Sequence, residues 1–232
     1  MTHEPTNEKT NGASTSAIPY VAPFFAFVLL TALEKYAGPY PIAYGIKILL
    51  VTITLAVCSR HWRHEIRRDS RGVSLGWVIG LVGLPLWLGL HAVTPPLPAW
   101  LGGGRASFDP FRDIPDPVWR LVFLAERFFG LVVVVPLLEE VFWRSFLLRY
   151  ITDPDRWATR PLSEFSPVAF FAVAFLFAGV HPEYLAAFVY AALLAGLLRF
   201  SGGSLSACII AHAVTNLSLG VYVLLTRNFQ YW

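Results

Sequence analysis

The chain alternates between long apolar stretches and short polar loops. Seven apolar stretches are evident, and they cover residues 19–36, 40–59, 73–94, 118–150, 166–182, 184–200 and 204–226. Most of them approach the ~20 residues that an α-helix needs to cross the hydrocarbon core of a bilayer. The pattern predicts an all-α fold, a polytopic membrane bundle of about seven transmembrane helices.

The composition supports a membrane protein and argues against an ordinary soluble domain. Hydrophobic residues make up 56% of the chain and charged residues 14%, with a mean hydropathy of +0.56, whereas soluble domains carry about 25% charged residues. Because the apolar stretches follow one another closely, we expect one membrane-embedded domain over residues 19–232. Residues 1–18 are polar and lack the features of a cleaved signal peptide, so they predict a disordered tail.

The basic residues indicate how the bundle is oriented. Residues 60–71 hold five arginines, and the excess of Lys and Arg in cytoplasmic loops predicts that this basic loop faces the cytoplasm. Alternation then puts the N-terminus and the loops after Arg149 and Arg199 on the same side. The net charge of +3 lies in short loops of this kind, so it indicates orientation and we expect no nucleic-acid partner. A bacterial plasma membrane is the expected location.

The remaining loops and the two cysteines are predicted to lie outside the candidate site. The loop at 95–117 would lie outside, where its Pro, Gly and aromatic residues favour an interfacial flap. Within the basic loop, His61, His64 and Glu65 do not form a His-Glu-x-x-His pattern, and we expect them on a solvated face beside the membrane. The two cysteines of the chain lie in apolar stretches and predict free thiols.

Two adjacent glutamates interrupt the fourth apolar stretch. A carboxylate at the centre of a membrane helix costs roughly 2.5–3.5 kcal/mol or more, so Glu139 and Glu140 mark a candidate functional site. Glu140 and Arg144 are four residues apart on one helix face, which predicts an ion pair. Glu139 lies about 100° around the helix from Glu140. It can therefore face another neighbour and act on a water molecule as a general base.

Three polar residues in later apolar stretches could complete this site: His181, His212 and Asn216. Pro182 is expected to break the helix beside His181. His212 and Asn216 are one turn apart, so their donors could stabilise a developing oxyanion together. Each residue alone is also compatible with packing or an interhelical hydrogen bond. A zinc site built from the glutamates and histidines is chemically possible, but no spacing demands it, and we expect neither a metal nor a cofactor.

These polar residues resemble the three motifs of the CAAX-protease and bacteriocin-processing family. That family comprises intramembrane glutamic endopeptidases and includes the eukaryotic prenyl-protein (Ras-converting) endoprotease. The matching segments are Glu139-Glu140-x-x-x-Arg144, Phe177-x-x-x-His181 and His212-x-x-x-Asn216. The resemblance covers about residues 118–220. The family often has Gly in place of Ser145, and this chain has an extra glycine at Gly202-Gly203; neither difference touches a catalytic group.

The resemblance implies a peptidase whose polar cavity lies inside the membrane bundle. Under it, Glu139 and His181 activate a water molecule, and His212 and Asn216 stabilise the oxyanion. The second glutamate and its arginine support the site. The implied partners are the lipid bilayer and a membrane protein or peptide substrate, which could carry a lipid. Two alternatives stay open: a non-catalytic scaffold, immunity or surface-sorting accessory protein, and a small transporter that uses the carboxylates as a proton relay.

Overall fold

A computed structural model describes residues 16–67, 69–95 and 107–231 of the chain. Most of the predicted tail at 1–18 and the middle of the predicted flap at 95–117 lie outside the described residues. We number the seven long helices of the described part as α1 Ile18–Leu33, α2 Tyr40–Trp62, α3 Ser70–Val93, α4 Pro117–Thr152, α5 Pro167–Gly179, α6 Tyr184–Phe200 and α7 Leu205–Thr226. No strand occurs within these ranges, so the predicted all-α fold is confirmed.

The helices differ in how far they can reach across a membrane. Within the described ranges, five are long and apolar enough to cross it, namely α1 to α4 and α7. α5 and α6 have 13 and 17 residues, and they pack against each other as a hairpin. The chain is therefore a multi-pass integral membrane protein. The polytopic helical bundle is confirmed, and seven long apolar helices are present in the described residues, of which five are candidate membrane spans.

α3 and α7 run parallel in close contact because α3 presents a row of glycines. A Cβ added at Gly76 would lie 2.7 Å from the carbonyl oxygen of Ala207, and one at Gly80 would lie 2.6 Å from Cβ of Val214. Real side chains do not tolerate such distances, so only glycine permits this approach. The contacts fix α7, which carries His212 and Asn216, at a defined height against α3.

The two parallel helices are also tied together where they begin. Asp69 caps α3 by accepting the Gly72 N–H, and its other oxygen accepts the Ser204 hydroxyl of the α7 cap at 2.6 Å. These hydrogen bonds, that from Ser204 first, lower the pKa of the Asp69 carboxyl. The carboxylate is thus ionised at neutral pH and holds both N-termini at one end of the bundle.

Part of the basic loop is folded into the bundle, which corrects one expectation. Glu65 has a side chain only 8% exposed, and Oε1 lies 2.8 Å from Nη2 of Arg149 near the end of α4. The same carboxylate accepts the hydroxyl groups of Tyr20 and Ser145. The prediction of a solvated face was wrong for Glu65, because a partner 84 residues away compensates its charge. His61 and His64 are exposed as predicted.

α4 is widened on both sides of its two glutamates. Residues Gly130–Val134 and Val141–Leu147 adopt π-helical hydrogen bonding, and the six-residue α-helical turn Val135–Glu140 lies between them. Such π-bulges are uncommon and occur frequently at functional sites. The segment that carries the candidate chemistry is thus also the least regular part of the helix.

Candidate active site

Glu140 is the centre of a buried polar cluster. Its Oε2 lies 3.1 Å from Nε of Arg144, and both side chains are 0% exposed. The predicted pair is therefore present as an ion pair, although its geometry is not that of a hydrogen bond. Oε1 accepts a hydrogen bond from Nδ1 of His212 at 2.8 Å. One carboxylate thus joins α4 to α7 and binds two of the predicted site residues.

Arg144 connects this cluster to the α5–α6 hairpin. Its Nη2 reaches the carbonyl oxygen of Ala191 on α6 at 3.5 Å. The guanidinium carbon lies 5.0 Å from the ring centroid of Phe177 on α5, within the range of a cation–π contact. The arginine therefore positions α5, whose end carries the next site residue.

His181 lies in the turn just after α5, as the adjacent Pro182 predicts. Its Nδ1 is 2.8 Å from the carbonyl oxygen of Phe177, and its ring stacks on the Phe177 ring with centroids 4.4 Å apart. A carbonyl can only accept, so Nδ1 carries the hydrogen. In the neutral ring the lone pair is then on Nε2, the arrangement that a base requires.

The tautomer of His212 differs from what its predicted role assumes. Glu140 accepts from Nδ1, so a neutral His212 carries its lone pair on Nε2 and offers no second donor. It can stabilise an oxyanion only with hydrogens on both nitrogens. The positive charge of that ring would be compensated by the carboxylate of Glu140. The predicted donor therefore depends on a protonated histidine.

Asn216 is hydrogen-bonded to the widened part of α4. Its Nδ2 donates to the carbonyl oxygen of Leu131 at 2.9 Å. The π-helical pattern there has the Val135 N–H bonded to the carbonyl of Gly130. The next bond of that pattern would join residue 136 to Leu131, but Pro136 has no N–H. Asn216 fills this gap with one amide hydrogen, and its second hydrogen can serve another acceptor.

Glu139 is buried beside this cluster at 7% exposure. It follows Leu138 in the short α-helical turn between the two π-helical segments. The structure thus joins Glu140, Arg144 and His212 by direct contacts and links His181 to Arg144 through Phe177. Glu139 and Asn216 lie on the same two helices as that cluster.

Three residues that the sequence did not single out complete the surroundings. Tyr190 of α6 has its ring 5.8 Å from that of His212 and 6.0 Å from that of Trp87. Its hydroxyl donates to Thr215 at 2.9 Å, and Thr215 donates to the carbonyl of Gly80 on α3. The sequence could have pointed to Thr215, because it lies between the predicted site residues His212 and Asn216. The Trp87 ring also contacts His181, at 5.9 Å.

Metal-ligating residues do not converge in the described part of the chain. No group of three or more His, Cys, Asp or Glu side chains within residues 16–67, 69–95 and 107–231 is arranged to hold a metal ion. The expectation of a metal-independent site stays a prediction.

A known protein family matches the segment of the chain that contains all six predicted site residues. Residues 120–218 match the family described as type II CAAX prenyl endopeptidase Rce1-like. Over this segment the chain is similar to the members of that family. The matched segment begins in α4 and ends in α7. No curated protein and no solved structure matches the chain.

Proposed function

We propose that the protein is an intramembrane endopeptidase that hydrolyses a peptide bond with a water molecule activated by Glu139 and His181. The observation that carries the proposal is the buried carboxylate of Glu140, bound on one side by Arg144 and on the other by His212. Two carboxylates and two histidines inside a membrane bundle are costly to maintain, and such groups commonly mark functional sites. The residues lie within the segment that matches the CAAX-protease family.

The proposed reaction needs no covalent intermediate. The carboxylate of Glu139 takes a proton from water, while Nε2 of His181 accepts the hydrogen bond of the same water molecule. The hydroxide adds to the scissile carbonyl carbon, and the carbonyl oxygen becomes an oxyanion. The proton held by Glu139 then passes to the departing amine as the carbon–nitrogen bond breaks.

Stabilisation of the oxyanion falls to α7. Protonated His212 would donate from Nε2, and Asn216 would donate with the amide hydrogen that Leu131 does not use. Glu140 keeps the His212 ring in place through Nδ1 and compensates its charge. Arg144 in turn offsets the charge of Glu140. The supporting pair therefore acts on the chemistry through His212.

We propose a membrane protein or membrane-associated peptide, lipidated or not, as the substrate of a single catalytic domain spanning residues 19–232. The side chains that would touch the scissile bond lie inside a bundle with five candidate membrane spans. A soluble substrate would have to leave water to reach them. A peptide held in the bilayer reaches that depth without this cost.

One observation favours a second function, that of a non-catalytic scaffold or sorting accessory. Both proposed oxyanion donors already hold the fold together, His212 through Glu140 and Asn216 through Leu131. A scaffold would retain these contacts for stability alone. The two functions differ in whether Glu139 is needed for a reaction.

The test is cleavage of a library of bilayer-anchored peptides by the purified protein in lipid vesicles. We expect cleavage by the wild type and none by Glu139→Gln, because an amide has the shape of the carboxylate but cannot take the proton. Glu126→Gln is the matched control, since it makes the same change in α4 outside the polar cluster. Near-wild-type turnover by Glu139→Gln would contradict the assignment. Absence of cleavage by every variant across the library would favour the scaffold.

A further inference from the structure

Two aromatic rings connect the two histidines of the candidate site. The Trp87 ring of α3 lies 5.9 Å from the His181 ring, and the Tyr190 ring of α6 lies 5.8 Å from the His212 ring. The rings of Trp87 and Tyr190 are themselves 6.0 Å apart. All three contacts are edge-to-face, a geometry that aromatic pairs favour. These two residues, called the aromatic bridge below, thus join His181 to His212 by an unbroken row of ring contacts.

The His181 ring is contacted from two different helices. Phe177 of α5 accepts from Nδ1 through its carbonyl oxygen, and its phenyl ring lies almost parallel to the imidazole at an angle of 20°. Trp87 approaches from α3, and its ring is inclined by 75° to the imidazole. A stacked contact and an edge-to-face contact together define the plane of the ring more closely than either does alone. The direction in which Nε2 points is set by that plane.

A row of glycines on α3 places Trp87 in the aromatic bridge. The helix carries glycine at positions 76, 80 and 83 and tryptophan at position 87, and these spacings of three and four residues keep all four on one face. A Cβ added at Gly83 would meet the side chain of Thr215 and would lie 3.0 Å from Cε2 of Tyr190. α3 therefore approaches α6 and α7 closely as far as Gly83, and Trp87 is the next residue on that face.

The Tyr190 end of the bridge is fixed by hydrogen bonds. Tyr190 is 2% exposed, and its hydroxyl donates to Oγ1 of Thr215 on α7 at 2.9 Å. Thr215 in turn lies 2.9 Å from the carbonyl oxygen of Gly80 on α3 and donates to it. Because these bonds tie α3, α6 and α7 together, Tyr190 gives the Trp87 ring a rigid surface to pack against.

The Trp87 end of the bridge joins two parts of the apolar core. Trp87 packs against the buried residues around Phe177 and also against those around Tyr190. It lies on α3, before the segment 120–218 that matches the peptidase family. The surroundings of His181 are thus completed by a helix that the family match does not include.

We propose that Trp87 is a positioning residue, which keeps the His181 ring in the orientation at which Nε2 receives the hydrogen bond of the attacking water molecule. The role rests on the proposed peptidase function. Trp87 acts only through His181, and Tyr190 supports it from the opposite side. α3 therefore belongs to the catalytic unit together with α4, α5 and α7. Small displacements of a reacting group are costly, by up to about 10²-fold in rate.

The first test compares two substitutions of Trp87 by peptide cleavage. Trp87→Leu keeps an apolar side chain but removes the ring, whereas Trp87→Phe keeps a ring. We expect kcat of Trp87→Leu to fall by about 10-fold to 10²-fold with little change in KM, and Trp87→Phe to recover most of the loss. Trp77→Leu is the matched control, since it makes the same change on α3 at a ring that is 52% exposed.

The kinetic outcomes separate positioning from packing. A merely structural role predicts wild-type kcat for Trp87→Leu at a temperature where the variant stays folded, and this result would overturn the proposal. Equal losses of kcat in Trp87→Leu and Trp87→Phe would also overturn it, because the ring would then not matter. Trp87→Met takes the place of Trp87→Leu if the latter does not fold.

A second measurement reads the His181 ring directly and does not depend on cleavage. Nuclear magnetic resonance of protein with nitrogen-15 in its histidine rings, in lipid vesicles, reports which ring nitrogen carries the hydrogen. The His181 signals are identified by their absence in His181→Gln. We expect the neutral ring to carry its hydrogen on Nδ1 in the wild type and in Trp87→Phe. In Trp87→Leu we expect a mixture of both forms, since a ring that leaves the Phe177 carbonyl no longer keeps its hydrogen on Nδ1.

The spectra distinguish failure of this inference from failure of the proposed function. Unchanged His181 signals in folded Trp87→Leu would overturn the positioning role, whatever the cleavage assay shows. If the signals change as expected but the wild type cleaves no peptide, the positioning of His181 by Trp87 is supported, and the peptidase function is what fails.

Discussion

α4 carries the arginines of two buried arginine–glutamate pairs, Arg144 and Arg149, five residues apart. The two pairs differ in their hydrogen bonds. Glu140 and Arg144 meet at mid-depth, while Arg149 binds Glu65 at the basic-loop end. In the second pair, every nitrogen of the guanidinium has an acceptor. Nε bonds to the Ser145 carbonyl, Nη1 to the Arg160 carbonyl and Nη2 to Glu65. This pair, called the lower pair below, therefore leaves no guanidinium nitrogen without an acceptor.

The upper pair, Glu140 and Arg144, contains buried polar atoms that make no hydrogen bond within the described residues. Nε and Nη1 of Arg144 and Oε2 of Glu140 are buried without a hydrogen-bond partner among the described residues. Unsatisfied buried groups cost free energy, so natural proteins keep few of them. The Glu140 pair also binds His212, a residue of the proposed oxyanion site. We therefore expect the lower pair to hold the fold together and the upper pair to serve His212 in the proposed reaction.

The largest effect is expected from breaking the upper pair. Glu140→Gln leaves Arg144 as an uncompensated buried charge, which costs about 3–5 kcal/mol, and His212 loses its charged acceptor. We expect both thermal stability and peptide cleavage to fall steeply, as measured on the same purified protein.

The matched control for this variant removes both charges. Replacing Glu140 and Arg144 together by Gln and Met should recover much of the stability, because no unpaired charge remains. Cleavage should stay lost, since the His212 ring is no longer held by a carboxylate. A double variant that regained activity along with stability would show that the upper pair is structural, like the lower one.

Breaking the lower pair should be less costly and should spare the reaction. Glu65→Gln removes one charged acceptor, but Arg149 keeps the carbonyls of Ser145 and Arg160, so we expect a loss on the order of 2 kcal/mol. At a temperature where the protein stays folded, kcat and KM for a cleaved peptide should equal those of the wild type. A specific fall in kcat would contradict the division of roles between the two pairs.

Removal of metal should have the smallest effect. Because no zinc-ligand spacing occurs in the sequence, we expect cleavage to survive chelators and the purified protein to carry no stoichiometric zinc. Elemental analysis before and after chelation checks this, with cleavage assayed on the same samples. One bound zinc per chain, lost together with activity, would replace the proposed mechanism by that of a metallopeptidase.

Much of this architecture follows from local patterns in the sequence. The apolar stretches locate all seven helices, because each is long enough to show its hydrophobic character without knowledge of its neighbours. The four-residue spacing of Glu140 and Arg144 predicts their pairing, and Pro182 predicts the end of α5. The six candidate residues also follow from polarity in apolar surroundings. Their catalytic roles stay predictions.

Contacts between distant helices could not be predicted in the same way. Nothing local shows that His212 donates to a carboxylate 72 residues earlier, or that Glu65 is buried against Arg149. The tautomer of His212 follows only from that contact. Nor does any local pattern show that an amide from α7 donates to the carbonyl of Leu131, which Pro136 leaves without a backbone donor. One indication of this contact was present in the sequence, the proline at position 136 within the fourth apolar stretch.

The role of Asn216 decides most directly between a catalytic and a structural site. Asn216→Ala should lower kcat by about 10²–10³ with a smaller change in KM, as for loss of an oxyanion donor. It should also cost about 1 kcal/mol of stability, since the carbonyl of Leu131 loses its partner. Pro136→Ala restores a backbone N–H that can close this gap, and it therefore separates the two effects.

The decisive measurement is the effect of Asn216→Ala on the melting temperature and on kcat in two backgrounds. Asn216→Ala is compared with the wild type, and the double variant is compared with Pro136→Ala. We predict that the added proline substitution removes most of the stability loss caused by Asn216→Ala and leaves the kcat loss in place. In that case the second amide hydrogen of Asn216 serves the reaction. If kcat recovers together with the melting temperature, Asn216 acts only by holding α4, and the proposed oxyanion site is wrong.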